Sequence, residues 1–252
     1  MEQIKTMLAP KGSACRPGYA MQPEYITIHN TANTSKGAGA IAHGSYLQGG
    51  GSRKQVSYHY AVDDTIIVQI IPDREVAWHA GDGGNGTGNR KSIGIEICEN
   101  PESNLREATD SAAMLCAILM QQYGIVLQNV VQHHHWSGKN CPNRIRKGEP
   151  YNWSVFLSKV QGYYAALLLP PAEIGKADVL YCVQLGAFLS ETNAKACAAA
   201  LADKGVATYL SHKDQYWRVQ LGAFAVKPNA EAYATALKIR GIETYVKEKA
   251  VK

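Results

Sequence analysis

The chain has 252 residues, 46% of them hydrophobic and 19% charged, with a formal net charge of +5. That composition excludes intrinsic disorder and fibrous repeats, and the length suits one large domain plus a small one. Residues 176–252 carry 11 Lys/Arg against 7 Asp/Glu and residues 1–175 carry 15 against 14, so the excess is C-terminal and too dilute to mark a nucleic-acid partner.

The opening residues Met-Glu-Gln-Ile-Lys-Thr lack a basic patch followed by an apolar run. Neither a signal peptide nor a membrane span is expected. The expectation is a monomer made in the cytoplasm, with no membrane partner. Residues 25–29, Tyr-Ile-Thr-Ile-His, are β-branched and aromatic and predict a strand. A short helix is expected near Ala38–Leu47. Strands over 56–62 and 65–71 flank Asp63-Asp64 as a hairpin. Residues 80–92 read as a glycine-rich loop.

In 93–98, Ile93, Ile95 and Ile97 alternate with Gly94, Glu96 and Cys98, which predicts a strand with two distinct faces. Residues 106–123 space Ala112, Leu115, Ile118 and Leu119 as a helical core stripe. A second helix spans Tyr151–Leu169 and Pro170-Pro171 stops it. The expected division is therefore 1–169, a linker at 170–178, and a second domain at 179–252.

That second domain is a tandem repeat. Residues 181–210 align with 217–246 without a gap, and Val-Gln-Leu-Gly-Ala-Phe recurs at 183–188 and 219–224. Each unit reads as strand (182–187), helix (193–203) capped at Gly205, and strand (206–210). Two units give a βαββαβ, ferredoxin-like arrangement sharing one sheet and core. If Val183, Leu185, Val219 and Leu221 pack on the helices, then Gln184, Gly186, Gln220 and Gly222 form the open face. Amides and bare backbone there suit sugar hydroxyls, though solvated glutamines would look the same. His212 stands alone and reads as a surface residue.

The chemistry-bearing residues lie before residue 165. The six cysteines at 15, 98, 116, 141, 182 and 197 form no Cys-x-x-Cys pair, so most read as small buried hydrophobes. Cys141 differs, because it follows Gln132-His133-His134-His135-Trp136-Ser137-Gly138-Lys139-Asn140. A catalytic zinc takes three protein ligands and leaves one position open. His133 and Cys141, with Gly138 between them to turn the chain, could share an ion with His29; an exposed histidine loop is the alternative. Glu96 is either a carboxylate of the sheet face or a proton acceptor beside such a metal. Lys139 is either a solvated loop lysine or a charge for an oxyanion.

Several stretches together resemble the T7-lysozyme-like, zinc-dependent N-acetylmuramoyl-L-alanine amidases of phage endolysins and bacterial autolysins. They are Ile26-Thr-Ile-His29-Asn30-Thr31, Ser57-Tyr58-His59-Tyr60, Trp78-His79-Ala80-Gly81, Ile93-Gly-Ile-Glu96 and Trp136-Ser-Gly-Lys-Asn-Cys-Pro142. The resemblance spans about residues 20–160. It implies an α/β fold, with a mixed central β-sheet flanked by helices. It implies Zn2+ held by His29, His133 and Cys141, Glu96 as general base and acid, and Lys139 beside the metal. The reaction implied is hydrolysis of the amide between N-acetylmuramic acid and L-alanine of peptidoglycan. His79 and Trp136 are expected to face substrate, Trp136 alternatively to pack.

The repeat resembles the SPOR domain, a peptidoglycan-binding module, which implies glycan strands as partner and Gln184 and Gln220 as contacts. A non-catalytic recognition protein of the same fold is a rival, but such proteins typically lack the metal cysteine. A muropeptide-recycling amidase is another, but soluble fragments need no wall-binding domain. Release without a signal peptide suits a phage endolysin or an autolysin freed at lysis.

Overall fold

A computed structural model describes residues 4–168, 179–202, 206, 208–239 and 241–250. The expected linker at 170–178 and the cap at Gly205 lie outside them. The chain divides into two compact units, Met1–Tyr164 and Ala165–Lys252.

The first unit holds β1 (Lys5–Thr6), β2 (Tyr25–Asn30), α1 (Ala40–Gln48), β3 (Tyr60–Val62), β4 (Ile67–Gln69), α2 (Thr87–Lys91), β5 (Ser92–Ile97), α3 (Leu105–Tyr123), β6 (Val130–Gln132), α4 (His134–Ser137), α5 (Asn143–Arg146) and most of α6 (Trp153–Leu168), whose last residues, from 165 on, fall in the second. Its six strands lie in the order β1-β4-β3-β5-β2-β6. The β3–β4 hairpin is antiparallel and the other pairs are parallel. The sheet is thus mixed, as expected. Ile26, Ile28, Ile93, Ile95 and Ile97 are fully buried along the adjacent strands β2 and β5. Each such side chain contributes about 1.5–3 kcal/mol.

Side-chain hydrogen bonds set several element boundaries. Asp63 Oδ1 accepts from the Thr65 and Ile66 amides and makes the hairpin turn, while its Oδ2 accepts from the Ala40 amide. A carboxylate at that end suits the helix dipole, and α1 begins there rather than at Ala38. The expected strand 56–62 contracts to three residues. The His59 carbonyl takes the amides of both Ile70 and Ile71, and its ring Nδ1 takes the Gly94 amide, in place of a regular ladder.

The expected glycine loop contains the short helix α2. Asp82 accepts from the Gly88 and Asn89 amides at its start, and Asn89 Oδ1 accepts from the His79 and Ala80 amides. Helix α3 is capped by Asn104, whose Oδ1 accepts from the Arg106 and Glu107 amides, and ends at Gly124 with φ 67°. The expected stripe Ala112, Leu115, Ile118 and Leu119 is buried, within a band of buried residues wider than one face.

The second unit runs β7 (Val179–Phe188), α7 (Glu191–Ala202), β8 (Tyr209–Lys213), β9 (Tyr216–Phe224), α8 (Lys227–Ile239) and β10 (Tyr245–Ala250). The sheet order is β10-β7-β9-β8 and every pair is antiparallel, the ferredoxin-like layout. Val183, Val219, Leu221, Ala194, Leu201, Ala230 and Leu237 share its core.

The repeat generates an approximate two-fold axis. Gln184 pairs with Gln220, Val183 with Gly222, and Gly186 with Val219. This register leaves Leu221 and Leu185, equivalent positions of the two repeats, as unpaired extra residues. Such bulges change the phase of strand alternation. The expected open face is corrected accordingly. A side chain at Gly222 would meet Phe224 and Tyr233, both of the helix-side core, so Gly222 belongs to that side. The row across the other face is Tyr245, Gln184, Gln220 and Tyr209, one residue from each strand. His212 is exposed, with its ring 4.7 Å from that of Trp217.

Candidate metal centre and active site

Parallel strands end together, and their C-terminal ends are where an open α/β sheet builds sites. In the shared register of β3, β5 and β2, Ala61, Glu96 and His29 stand side by side and so project from one face. The chain continues past β6 to His133, whose amide donates to the Ile28 carbonyl. Helix α4 follows and ends at Gly138 with φ 73°. That turn lets the His134 amide reach the Cys141 carbonyl and brings Cys141 back beside His133.

His29, His133 and Cys141 are all buried, and their ligand atoms lie within 4.8 Å of one another. His29 Nδ1 is 3.0 Å from His133 Nδ1 and 3.8 Å from Cys141 Sγ. A tetrahedral zinc with two nitrogen ligands and one sulfur spans edges of about 3.3–3.6 Å, which the two distances bracket. Two facing imidazole nitrogens and a buried sulfur form a donor set that suits a zinc ion. Burial, and then the Glu96 carboxylate, push the Cys141 thiol up to about 12, so a thiolate there requires a positive partner. Burial also holds His29 well below the ordinary histidine value, reinforced by His79 and His133. His134 and His135 are exposed.

Glu96 Oε1 lies 3.8 Å from His29 Nδ1. Burial raises its carboxyl to about 8 against the opposing pull of Lys139. Lys139 is exposed. Two hollows meet at Glu96 and Lys139. One, of 650 Å³, is walled by Tyr19, Val56, Trp78 and Arg90. The other, of 470 Å³, is walled by Ala42, His43, Tyr46 and Tyr58. The Arg90 guanidinium sits 4.8 Å over the Tyr19 ring and 5.9 Å from that of Trp78.

The residues expected to contact substrate fare differently. His79 is 7% exposed, and both its ring nitrogens are engaged within the protein. Trp136 packs: its indole N–H donates to Thr27 Oγ1, its ring meets Tyr25 edge-on, and a side chain at Gly88 would collide with it. Gln184 is 6% exposed and accepts from the Tyr245 hydroxyl, while Gln220 is half-buried. Tyr209 and Tyr245, the exposed ends of that row at 61% and 46%, went unremarked as contacts. The Thr-Tyr match at 208–209 and 244–245 was their available signal. Arg90, inside the glycine loop, had no periodicity to reveal it as a groove residue.

Comparison with known proteins gives the family and the fold. Residues 19–144 match the N-acetylmuramoyl-L-alanine amidase family model and residues 177–248 match the SPOR domain. N-acetylmuramoyl-L-alanine amidase CwlH of Bacillus subtilis (strain 168) is 48% identical over 64% of this chain and 62% of that protein. N-acetylmuramoyl-L-alanine amidase XlyA of the same strain is 50% identical over 61% of this chain and 49% of that protein. The chain therefore spans under two thirds of the length of these curated relatives. The solved catalytic domain of XlyA superposes with a TM-score of 0.59 at 48% identity, covering 63% of this chain and 99% of that domain. PlyL superposes with a TM-score of 0.56 at 37% identity, covering 63% of this chain and 96% of that structure. The chain belongs to the N-acetylmuramoyl-L-alanine amidase family and carries a SPOR domain in its C-terminal part.

Proposed function

We propose that this protein hydrolyses the amide between N-acetylmuramic acid and L-alanine in peptidoglycan, with zinc held by His29, His133 and Cys141. The observation that carries this reading is the buried His-His-Cys cluster with the Glu96 carboxylate 3.8 Å from His29. Zinc bound there supplies a Lewis acid to the scissile carbonyl and a more acidic water. Glu96, whose carboxylate lies beside the metal ligand His29, takes the proton of the attacking water and returns it to the leaving amine. The Lys139 ammonium offsets the charge that develops on the carbonyl oxygen. The hollows on either side of Glu96 give room for the sugar and the stem peptide that flank the bond. Arg90, stacked on Tyr19, offers a cation to stem-peptide carboxylates.

The second unit is a wall anchor in this reading, binding glycan strands. Tyr209 and Tyr245 are flat, exposed rings suited to stack on sugars, and Gln220, with Gln184 behind it, supplies amides. Tethering raises the local concentration of the catalytic unit at its polymer. The site of action is the cell wall. Among the described residues no helix is long and apolar enough to cross a membrane.

Digestion of purified walls tests the activity. The expected products are new L-alanine amino termini without new reducing sugar ends. Reducing ends in their place would mean a glycosidase and end the proposal.

A further inference from the structure

We propose that His79 is a positioning residue, which accepts the proton of His29 Nε2 and thereby presents His29 Nδ1, unprotonated, to the metal. The inference rests on the zinc reading above and adds a residue that touches neither metal nor substrate in it.

The direction of the hydrogen bonds is fixed by a carbonyl. His79 Nε2 lies 3.0 Å from the Ser92 carbonyl oxygen. A carbonyl only accepts, so Nε2 carries the proton. The ring is buried beside His29 and His59, where a charged imidazole is costly, and a neutral ring protonated at Nε2 has a bare Nδ1. That Nδ1 lies 3.1 Å from His29 Nε2, which therefore donates. The tautomer of His29 follows: its proton is on Nε2, and the lone pair of Nδ1 faces His133 and Cys141.

The surroundings hold the relay rigidly. The His79 amide donates to the Asn89 side chain. The ring lies against Gly94 so closely that a Cβ there would stand 2.8 Å from it. His59 anchors the same strand, accepting the Gly94 amide at Nδ1 and donating from Nε2 to the Glu75 carbonyl. An imidazole ligand whose second nitrogen is held by a fixed partner is a better and better-aimed ligand. Loss of such a partner typically costs about 10–100-fold in metal affinity.

The test is a chelator-competition titration of zinc on the full chain and three variants, with nitrogen-edited NMR of the histidine rings of the metal-free proteins. His79→Phe keeps a ring but removes the acceptor. It should lose about 10–100-fold in zinc affinity, and His29 should no longer hold a single Nε2–H tautomer. His79→Asn keeps an oxygen near the Nδ1 position and should restore most of the affinity. Gly94→Ala keeps the imidazole but displaces it, and should weaken zinc as His79→Phe does. Equal affinity in parent and His79→Phe, with His29 unchanged in tautomer, would overturn the proposal even if both melt at different temperatures. A parent that binds no zinc but shows the Nε2–H tautomer, lost in His79→Phe, would sink the zinc reading while leaving the His79 relay standing.

Discussion

The two units of this chain assemble their proposed working surfaces in opposite ways. In the first, His29, Glu96, His133 and Cys141 come from four segments scattered over more than a hundred residues, and all are withdrawn from solvent or nearly so. In the second, one row of four residues, Tyr245, Gln184, Gln220 and Tyr209, comes from a repeated sequence and ends in two exposed rings. The difference fits the tasks proposed for them. Low-dielectric surroundings strengthen electrostatic help to a reaction, so chemistry favours burial and long-range convergence. Binding a polymer needs breadth, which a doubled strand supplies at once.

Breaking the first unit should abolish turnover and leave wall binding intact. Glu96→Gln keeps the shape of the side chain but not its basicity. Turnover on a soluble muropeptide should fall by about 10²–10⁴-fold, with zinc content and wall sedimentation unchanged. Activity within a factor of about two of the parent would leave Glu96 a structural carboxylate. Lys139→Ala should come next, at about 10²-fold or less, because an exposed cation is screened more than a buried one. Its signature is a fall in kcat at unchanged zinc content.

Breaking the second unit should do the reverse. Tyr209→Ala with Tyr245→Ala should release the protein from sedimenting glycan, while hydrolysis of a soluble muropeptide stays at the parental rate. Each stacked ring is worth about 0.5–1.5 kcal/mol in aromatic pairs, so weakening of about 5- to 150-fold is expected for the double variant. Undiminished sedimentation would move the binding surface elsewhere on the unit.

The smallest expected effect concerns support rather than function. Arg16 grips Glu75 with two hydrogen bonds of 2.7 and 2.8 Å, and this holds the Glu75 carboxyl below its ordinary value. A lowered carboxyl value means stability present above the unfolded value of about 4.5 and lost as pH falls through the lowered one. Glu75→Gln should therefore cost about 1.5 kcal/mol at neutral pH, a deficit that shrinks as the parent is acidified. Chemical denaturation at several pH values measures it; a deficit independent of pH would mean packing, not charge, is lost.

The same contrast decides what could be read from the chain alone. The β-branched run at β2 and the alternating isoleucines of β5 were legible, since local pattern and tertiary role agree there. The repeat gave the order of elements in the second unit. Its bulges at Leu185 and Leu221 were not legible, because strand alternation carries no mark of where pairing slips. That is why Gly222 was expected on the wrong face. Helix α2 was hidden in a glycine loop because Asp82 captures its amides, and Asn89 within it holds the His79 and Ala80 amides, through folds of the chain that no local propensity records. At the site, His29, Glu96, His133, Lys139 and Cys141 were nameable through resemblance. Residue reading alone left a metal site and an exposed histidine loop as alternatives. His79 and Trp136 were recognised as notable, but a motif does not say which way a ring faces.

Metal analysis of the purified full chain and its ligand variants tests the central claim most directly. The account predicts about one tightly bound zinc per chain in the parent and in His134→Ala, and none in the His133→Ala/Cys141→Ser double variant. Full zinc in that double variant, or loss of zinc on changing His134 alone, would contradict it.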